Sequence, residues 1–174
     1  DAQDRNYRDP WHKPELIVAL TEFEALAGFR DPAETVELLR LLPHRYPFLL
    51  VDKVVEIDGD ASGVGIKNVT FNEPQFTGHF PGRPVFPGVL MIEAMAQTAG
   101  VLVVSARGND DLAVTTVLFT TIDKAKFRKP VVPGDTLRFH LTKMAHKRNI
   151  WFYRGEARVD GVLVAEAELS AMVV

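Results

Sequence analysis

The sequence predicts an α+β domain in which an antiparallel sheet curves around one long buried helix. Three observations predict it. Residues 89–106 are apolar almost all round, with Leu90, Met91, Ile92, Met95, Val101, Leu102, Val103 and Val104, so a helix there must be covered on most sides. Four apolar runs follow, at residues 114–128, 136–145, 150–159 and 162–174. Turn signals separate the last three runs from what precedes them, at Pro133-Gly134-Asp135, residues 146–149 and Asp160-Gly161. Asp-Gly between two apolar runs is a strong hairpin signal. Strands that follow one another without intervening helices indicate α+β and an antiparallel sheet.

Residues 1–14 read as a polar arm. Residues 14–27 have helical spacing, with Leu16, Leu20, Phe23 and Leu26 on one side and Gly28 as a stop. Asp31-Pro32 opens a second short helix carrying Val36, Leu39 and Leu42, with Glu34 and Glu37 near its positive end, and Pro43 stops it. Residues 1–34 are assigned to an extension and 35–174 to the main domain. Residues 49–57 and 62–71 read as strands with Gly59 in the turn between them. Residues 72–88 hold Pro74, Gly78, Pro81, Gly82, Pro84, Pro87 and Gly88; an irregular segment of this length is usually functional. A sheet wrapped around the helix at 89–106 is the hot-dog architecture, although the pattern alone leaves other α+β folds open.

Composition narrows the function. The 174 residues suffice for one domain with a real core. The net charge of −3 argues against a general nucleic-acid binder, which needs a positive surface. With no cysteine, thiolate nucleophiles, disulfides and Cys-based metal sites are excluded. The apolar stretch at 89–106 is near the lower length limit for a membrane span. Glu93 and Gln97 inside it favour a buried helix, and no membrane association or secretory signal is expected. A cytoplasmic location is the expectation.

Chemistry concentrates between residues 78 and 97. His79 lies in a loop stiffened by prolines, and imidazole suits proton transfer near neutrality. Glu93 is a carboxylate on an apolar helix, where an unpartnered carboxylate is costly. Gln97 is one turn on and shares its face; Gly100 continues that face without a side chain. The stripe reads either as a pocket or as a satisfied core network. Gly88 lies at the helix start, where unpaired backbone N–H groups and the dipole can hold a developing oxyanion; ordinary helix initiation explains it equally. Taken singly, none of these residues establishes catalysis. No third His or carboxylate stands at ligand spacing, so neither a metal nor a cofactor is expected. No Gly-x-Ser-x-Gly nucleophile motif occurs.

These residues carry a family resemblance. Leu42-Pro43-His44-Arg45-Tyr46-Pro47-Phe48-Leu49-Leu50-Val51-Asp52-Lys53-Val54 resembles the N-terminal signature of the FabZ-type 3-hydroxyacyl-[acyl-carrier-protein] dehydratases. Lys67-Asn68-Val69-Thr70, Asn72-Glu73-Pro74, the stretch from Gly78 through Gln97, and Ile122 through Asp135 are similar to the same family. The likeness spans roughly residues 35–172. It implies a hot-dog fold, a homodimer or trimer of dimers, and an acyl-carrier-protein substrate with a phosphopantetheine-linked acyl chain in an apolar tunnel. It implies that His79 and Glu93 are catalytic, facing each other from two subunits, and that the Gly88 N–H binds the thioester carbonyl. The family often has an aromatic residue where this chain has Leu118, and residues 1–34 exceed its usual N-terminus.

Lys124, Lys126 and Arg128 alternate with Ala125 and Phe127, so a strand places three charges on one side. They are candidates for docking the acidic carrier protein; a solvated strand face is the plainer reading. His44 is read as structural. Arg83 either contacts phosphopantetheine or caps its loop. The competing readings are a hot-dog thioesterase, with Glu93 activating water, and a non-catalytic acyl-thioester-binding module.

Overall fold

The helix that the sequence marks as buried is the axis of the fold. The computed structural model describes residues 31–107 and 117–173. The expected helix at 14–27 and the start of the expected strand at 114–128 lie outside the described residues. Helix α1 is Thr35–Leu41 and helix α2 is Gly88–Ala106. Strands β1 (Lys53–Asp58), β2 (Ser62–Asn68), β3 (Val117–Phe127), β4 (Thr136–Lys147), β5 (Ile150–Val159) and β6 (Val162–Val173) form one sheet in the order β1-β2-β4-β5-β6-β3. Every neighbouring pair is antiparallel.

The sheet closes on α2 because the inner faces of its central strands are apolar or bare. Leu137, Phe139 and Leu141 on β4 alternate inward and are fully buried. Gly63 and Gly65 on β2 let the helix approach: a Cβ on Gly65 would lie 2.1 Å from Thr98 Oγ1, and one on Gly63 2.5 Å from Leu102 Cδ2. The Thr98 hydroxyl, wholly buried, donates to the Ala94 carbonyl one turn back at 2.8 Å. Met95, Val101 and Leu102 complete the covered surface of α2. This helix is long and apolar enough to cross a membrane by length and composition, yet 67% of that window is buried inside the fold, as a core helix must be.

The hairpin at Asp160-Gly161 forms as expected: both residues have positive φ, 48° and 78°, and Val159 pairs with Val162. Strand β4 runs two residues past its expected end, to Lys147, because positive φ at Arg148 allows a tight turn into Ile150. Strand β2 ends at Asn68 rather than residue 71, where the chain turns at Thr70 toward the 3₁₀ turn Pro74–Thr77. Strand β1 starts only at Lys53, although the preceding Leu50 and Val51 are buried.

Helix α1 differs in facing. Its buried residues are Leu38 and Leu41; of the expected stripe Leu42, just past its end, is buried, while Val36 and Leu39 are exposed. The apolar positions of so short a helix define two overlapping stripes, and packing against the domain selected the other one. Ala33 is fully buried and exchanges both backbone hydrogen bonds with Val54, at 2.8 and 3.0 Å. The chain is therefore already part of the folded layer two residues before the expected boundary.

Candidate active site

The long segment before α2 is held at both ends. Lys67, only 5% exposed, pairs with Glu73 at 2.7 Å and lies over the Phe86 ring. Glu73 accepts the Thr70 N–H at 2.8 Å and the Gln75 side-chain amide at 2.9 Å. Gln75 in turn accepts the His79 N–H on its carbonyl at 3.0 Å. Beyond His79 the loop folds back, with Phe80 and Arg83 exchanging backbone hydrogen bonds and the Val85 N–H donating to the His79 carbonyl at 3.0 Å. The imidazole Nδ1 donates to the Val85 carbonyl at 2.6 Å. A carbonyl can only accept, so in the neutral imidazole this contact puts the proton on Nδ1 and the free lone pair on Nε2.

His79 opens on a groove of about 530 Å³ that also includes Gly88, Met91, Phe127 and Arg128. Gly88 is the first residue of α2, where no preceding turn supplies an acceptor for its N–H. Phe127 lies against it: a Cβ there would come within 2.8 Å of the ring. Packing alone thus accounts for a glycine at this position, and the amide beside the groove comes with it.

Glu93 lines a different pocket, of about 130 Å³, with His44, Phe48, Gln97, Gly100, Val117 and Phe119. Residues 91 and 93 are about 200° apart around a helix, so Met91 can face one cavity and Glu93 the other. Within one chain, His79 and Glu93 therefore do not share a pocket. Gln97, 2% exposed, is fixed by three bonds: its Oε1 accepts the Leu50 N–H at 2.9 Å, and its Nε2 donates to the Phe48 carbonyl at 2.7 Å and to Glu93 Oε1 at 2.8 Å. The polar stripe seen in the sequence is both of the alternatives at once, a satisfied network that ends in a pocket. His44, read as structural from sequence, places Nε2 3.4 Å from Glu93 Oε1. Its only sequence signal was membership of the Leu-Pro-His-Arg motif.

The pocket continues beneath α2 into an apolar recess lined by Ala96, Ala99, Val103, Trp151, Tyr153 and Leu169. Val117 and Phe119 of β3 line it, whereas the intervening Leu118 is half exposed and lines neither cavity.

The expected basic row exists but is paired in place. Lys124 meets Glu168 at 2.9 Å, Lys126 lies 3.8 Å from Glu166, and Arg128 also bonds Glu166. Hydrogen bonding from Arg128 holds the Glu166 carboxyl below its usual range. The three cations do share one side of the strand, with a bulge between Asp123 and Lys126.

A six-stranded antiparallel sheet around one long helix, with an oriented imidazole beside that helix's N-terminus and a half-buried carboxyl on the same helix, defines a hot-dog protein. The FabA-like domain model matches residues 42–168. A second match, to the phosphomannose isomerase type I catalytic domain, covers only residues 1–32. The chain is 65% identical over 142 residues to the 3-hydroxyacyl-[acyl-carrier-protein] dehydratase FabZ of Methylobacterium radiotolerans, covering 82% of this chain and 90% of that one. It is 58% identical over 156 residues to the FabZ of Methylobacterium nodulans, covering 90% and 96%. Among solved structures it resembles the dehydratase heterocomplex ApeI:P from Xenorhabdus doucetiae, with a TM-score of 0.70 at 20% identity over 79% of this chain and 90% of that one. It also resembles the TT0310 protein from Thermus thermophilus, with a TM-score of 0.54 at 20% identity over 75% and 100%. These two likenesses carry the fold alone. The chain belongs to the FabZ family of 3-hydroxyacyl-[acyl-carrier-protein] dehydratases.

Proposed function

We propose that this chain, as a FabZ-type hydro-lyase of fatty acid synthesis, converts a 3-hydroxyacyl thioester on acyl carrier protein to the trans-2-enoyl thioester with His79 and Glu93 as its acid–base pair. The observation that carries the assignment is the 2.6 Å bond from His79 Nδ1 to the Val85 carbonyl, which leaves Nε2 as a base at the groove. Nε2 takes the C2 proton. The electrons of that C–H bond become the C2–C3 double bond as the C3–O bond breaks. Glu93 protonates the departing hydroxyl, which leaves as water. The thioester oxygen gains charge during the step and is met by the Gly88 N–H at the positive end of α2. This chemistry uses neither metal nor cofactor.

A homodimer, assembled further as a trimer of dimers, is part of the proposal. The two residues occupy separate cavities of one chain, so a single catalytic chamber needs His79 of one subunit beside the other subunit's carboxyl. One edge of the sheet supports this: among the described residues β3 pairs on one side only, and it exposes Leu118, Phe119, Ile122 and Phe127. A cytoplasmic site of action belongs to the same reading.

The test is absorbance of the enoyl thioester formed from a 3-hydroxyacyl substrate. His79→Ala and Glu93→Gln should each lower kcat by about 10²–10⁴-fold with the melting temperature preserved. Either variant at near-full activity defeats the assignment, and release of free thiol in place of enoyl product would indicate a thioesterase.

Docking of the acidic carrier through Lys124, Lys126 and Arg128 is proposed with it. Because Glu166 and Glu168 already neutralise much of this row, steering rests on what the pairs leave uncompensated. Charge reversal at Lys126 should raise KM for carrier-bound substrate and leave a short thioester analogue unaffected; equal loss on both removes the docking role.

A further inference from the structure

We infer that His44 is a positioning residue for Glu93, holding with Gln97 the carboxyl oxygen that does not carry the transferred proton. The inference rests on the reading of Glu93 as the acid. Its ground is the environment of the two Glu93 oxygens. Oε1 accepts the Gln97 amide at 2.8 Å and has His44 Nε2 at 3.4 Å. Among the described residues, no hydrogen bond reaches Oε2. A neutral carboxyl surrounded in this way keeps its hydroxyl on Oε2, because an oxygen facing donors serves best as the acceptor.

The tautomer of His44 follows from its other nitrogen. Nδ1 is buried with no hydrogen-bond partner. A buried N–H without an acceptor is rarer and costlier than a buried acceptor left unused. The proton therefore belongs on Nε2, facing Glu93. The ring is kept there by its neighbours: it stacks on Phe48 at 6.0 Å, and Arg45 Nη1 donates to the His44 carbonyl at 2.7 Å. Phe48 also supplies the carbonyl that fixes Gln97. The segment from Leu42 to Leu50 thus orients the Gln97 amide on one carboxyl oxygen and places the His44 Nε2 3.4 Å from the same atom.

At 3.4 Å His44 Nε2 is near Glu93 Oε1 without a hydrogen bond in the resting site. Once Glu93 gives up its proton, Oε1 shares a full negative charge and both donors gain strength. Interactions that strengthen only as charge develops raise kcat and leave KM nearly unchanged.

The experiment uses the full chain and the enoyl-thioester assay. His44→Phe keeps the ring stack and removes both nitrogens; kcat should fall about ten- to fiftyfold with KM within about twofold. His44→Gln, whose amide reaches the Nε2 position, should recover kcat to within about fivefold, while His44→Asn, too short to reach, should not. In a Glu93→Gln background, His44→Phe should cost less than about a further twofold, since its effect passes through the carboxyl. A His44→Phe enzyme within twofold of the parent overturns the inference, as does a loss that persists undiminished in that background. Should the Phe variant fail to fold, equal activity of the Gln and Asn variants overturns it and a superior Gln variant supports it. An inactive Glu93→Gln beside an indifferent His44→Phe defeats this inference alone, whereas an active Glu93→Gln defeats the reading of Glu93 as well.

Discussion

Lys67 shows what one residue contributes to a site it never enters. Its charge is nearly enclosed, it pairs with Glu73, and through Gln75 it sets the backbone that begins the His79 loop. A buried ion pair is a poor source of stability but a strong constraint on geometry, since losing one partner strands the other. His140, on the outer side of β4, works in the opposite sense. Burial, reinforced by Arg138 and Arg158 and opposed by Glu56 and Glu156, holds its pKa below the ordinary 6.5. The unfolded chain therefore binds a proton at this residue at a higher pH than the folded one does. The stabilising difference is complete above about pH 6.5 and is lost as the pH falls through the lower folded-state value. In His140→Asn, the drop in urea midpoint between pH 8 and pH 5 should be smaller than in the parent, and an unchanged drop would show that other groups dominate it.

At the scale of elements, α2 joins the two functions that the chain must reconcile. It is the core of the sheet and also the carrier of Gly88 and Glu93, so its position across the sheet decides where both point. That position is set by bare strand surface at Gly63 and Gly65. Gly65→Ala forces a methyl onto Thr98 and should cost about 1–3 kcal/mol by overpacking, seen as a lower thermal midpoint. Full stability in that variant would mean that the helix shifts freely. The period of the strands and the all-apolar helix were legible in the sequence, because a repeat of two and a continuous apolar surface each admit one local structure. The facing of α1 was not: Val36 and Leu39 compete with Leu38 and Leu41, and only contact with the rest of the domain chooses.

For the whole molecule, the proposed shared chamber places a second subunit against the edge at β3. Ile122 lies on that edge, half exposed and opposite Leu169. On that proposal Ile122→Glu should give monomers in sedimentation velocity and abolish dehydration, because neither cavity of one chain holds both His79 and Glu93. A parent chain that is monomeric and fully active would refute the shared chamber.

By itself the sequence determined the class of fold, the order of strands along the chain and the identities of His79, Gly88 and Glu93 as the residues to examine. Each depends on local pattern or on residue type at a fixed spacing. Tertiary structure alone decided that His44 joins Gln97 beside Glu93, that Lys67 braces the loop before His79, and that Lys124, Lys126 and Arg128 are paired with Glu166 and Glu168. His44 and Glu93, like the basic row and its glutamates, lie tens of residues apart in the chain, and a side chain's electrostatic surroundings are made by whatever the fold brings to it.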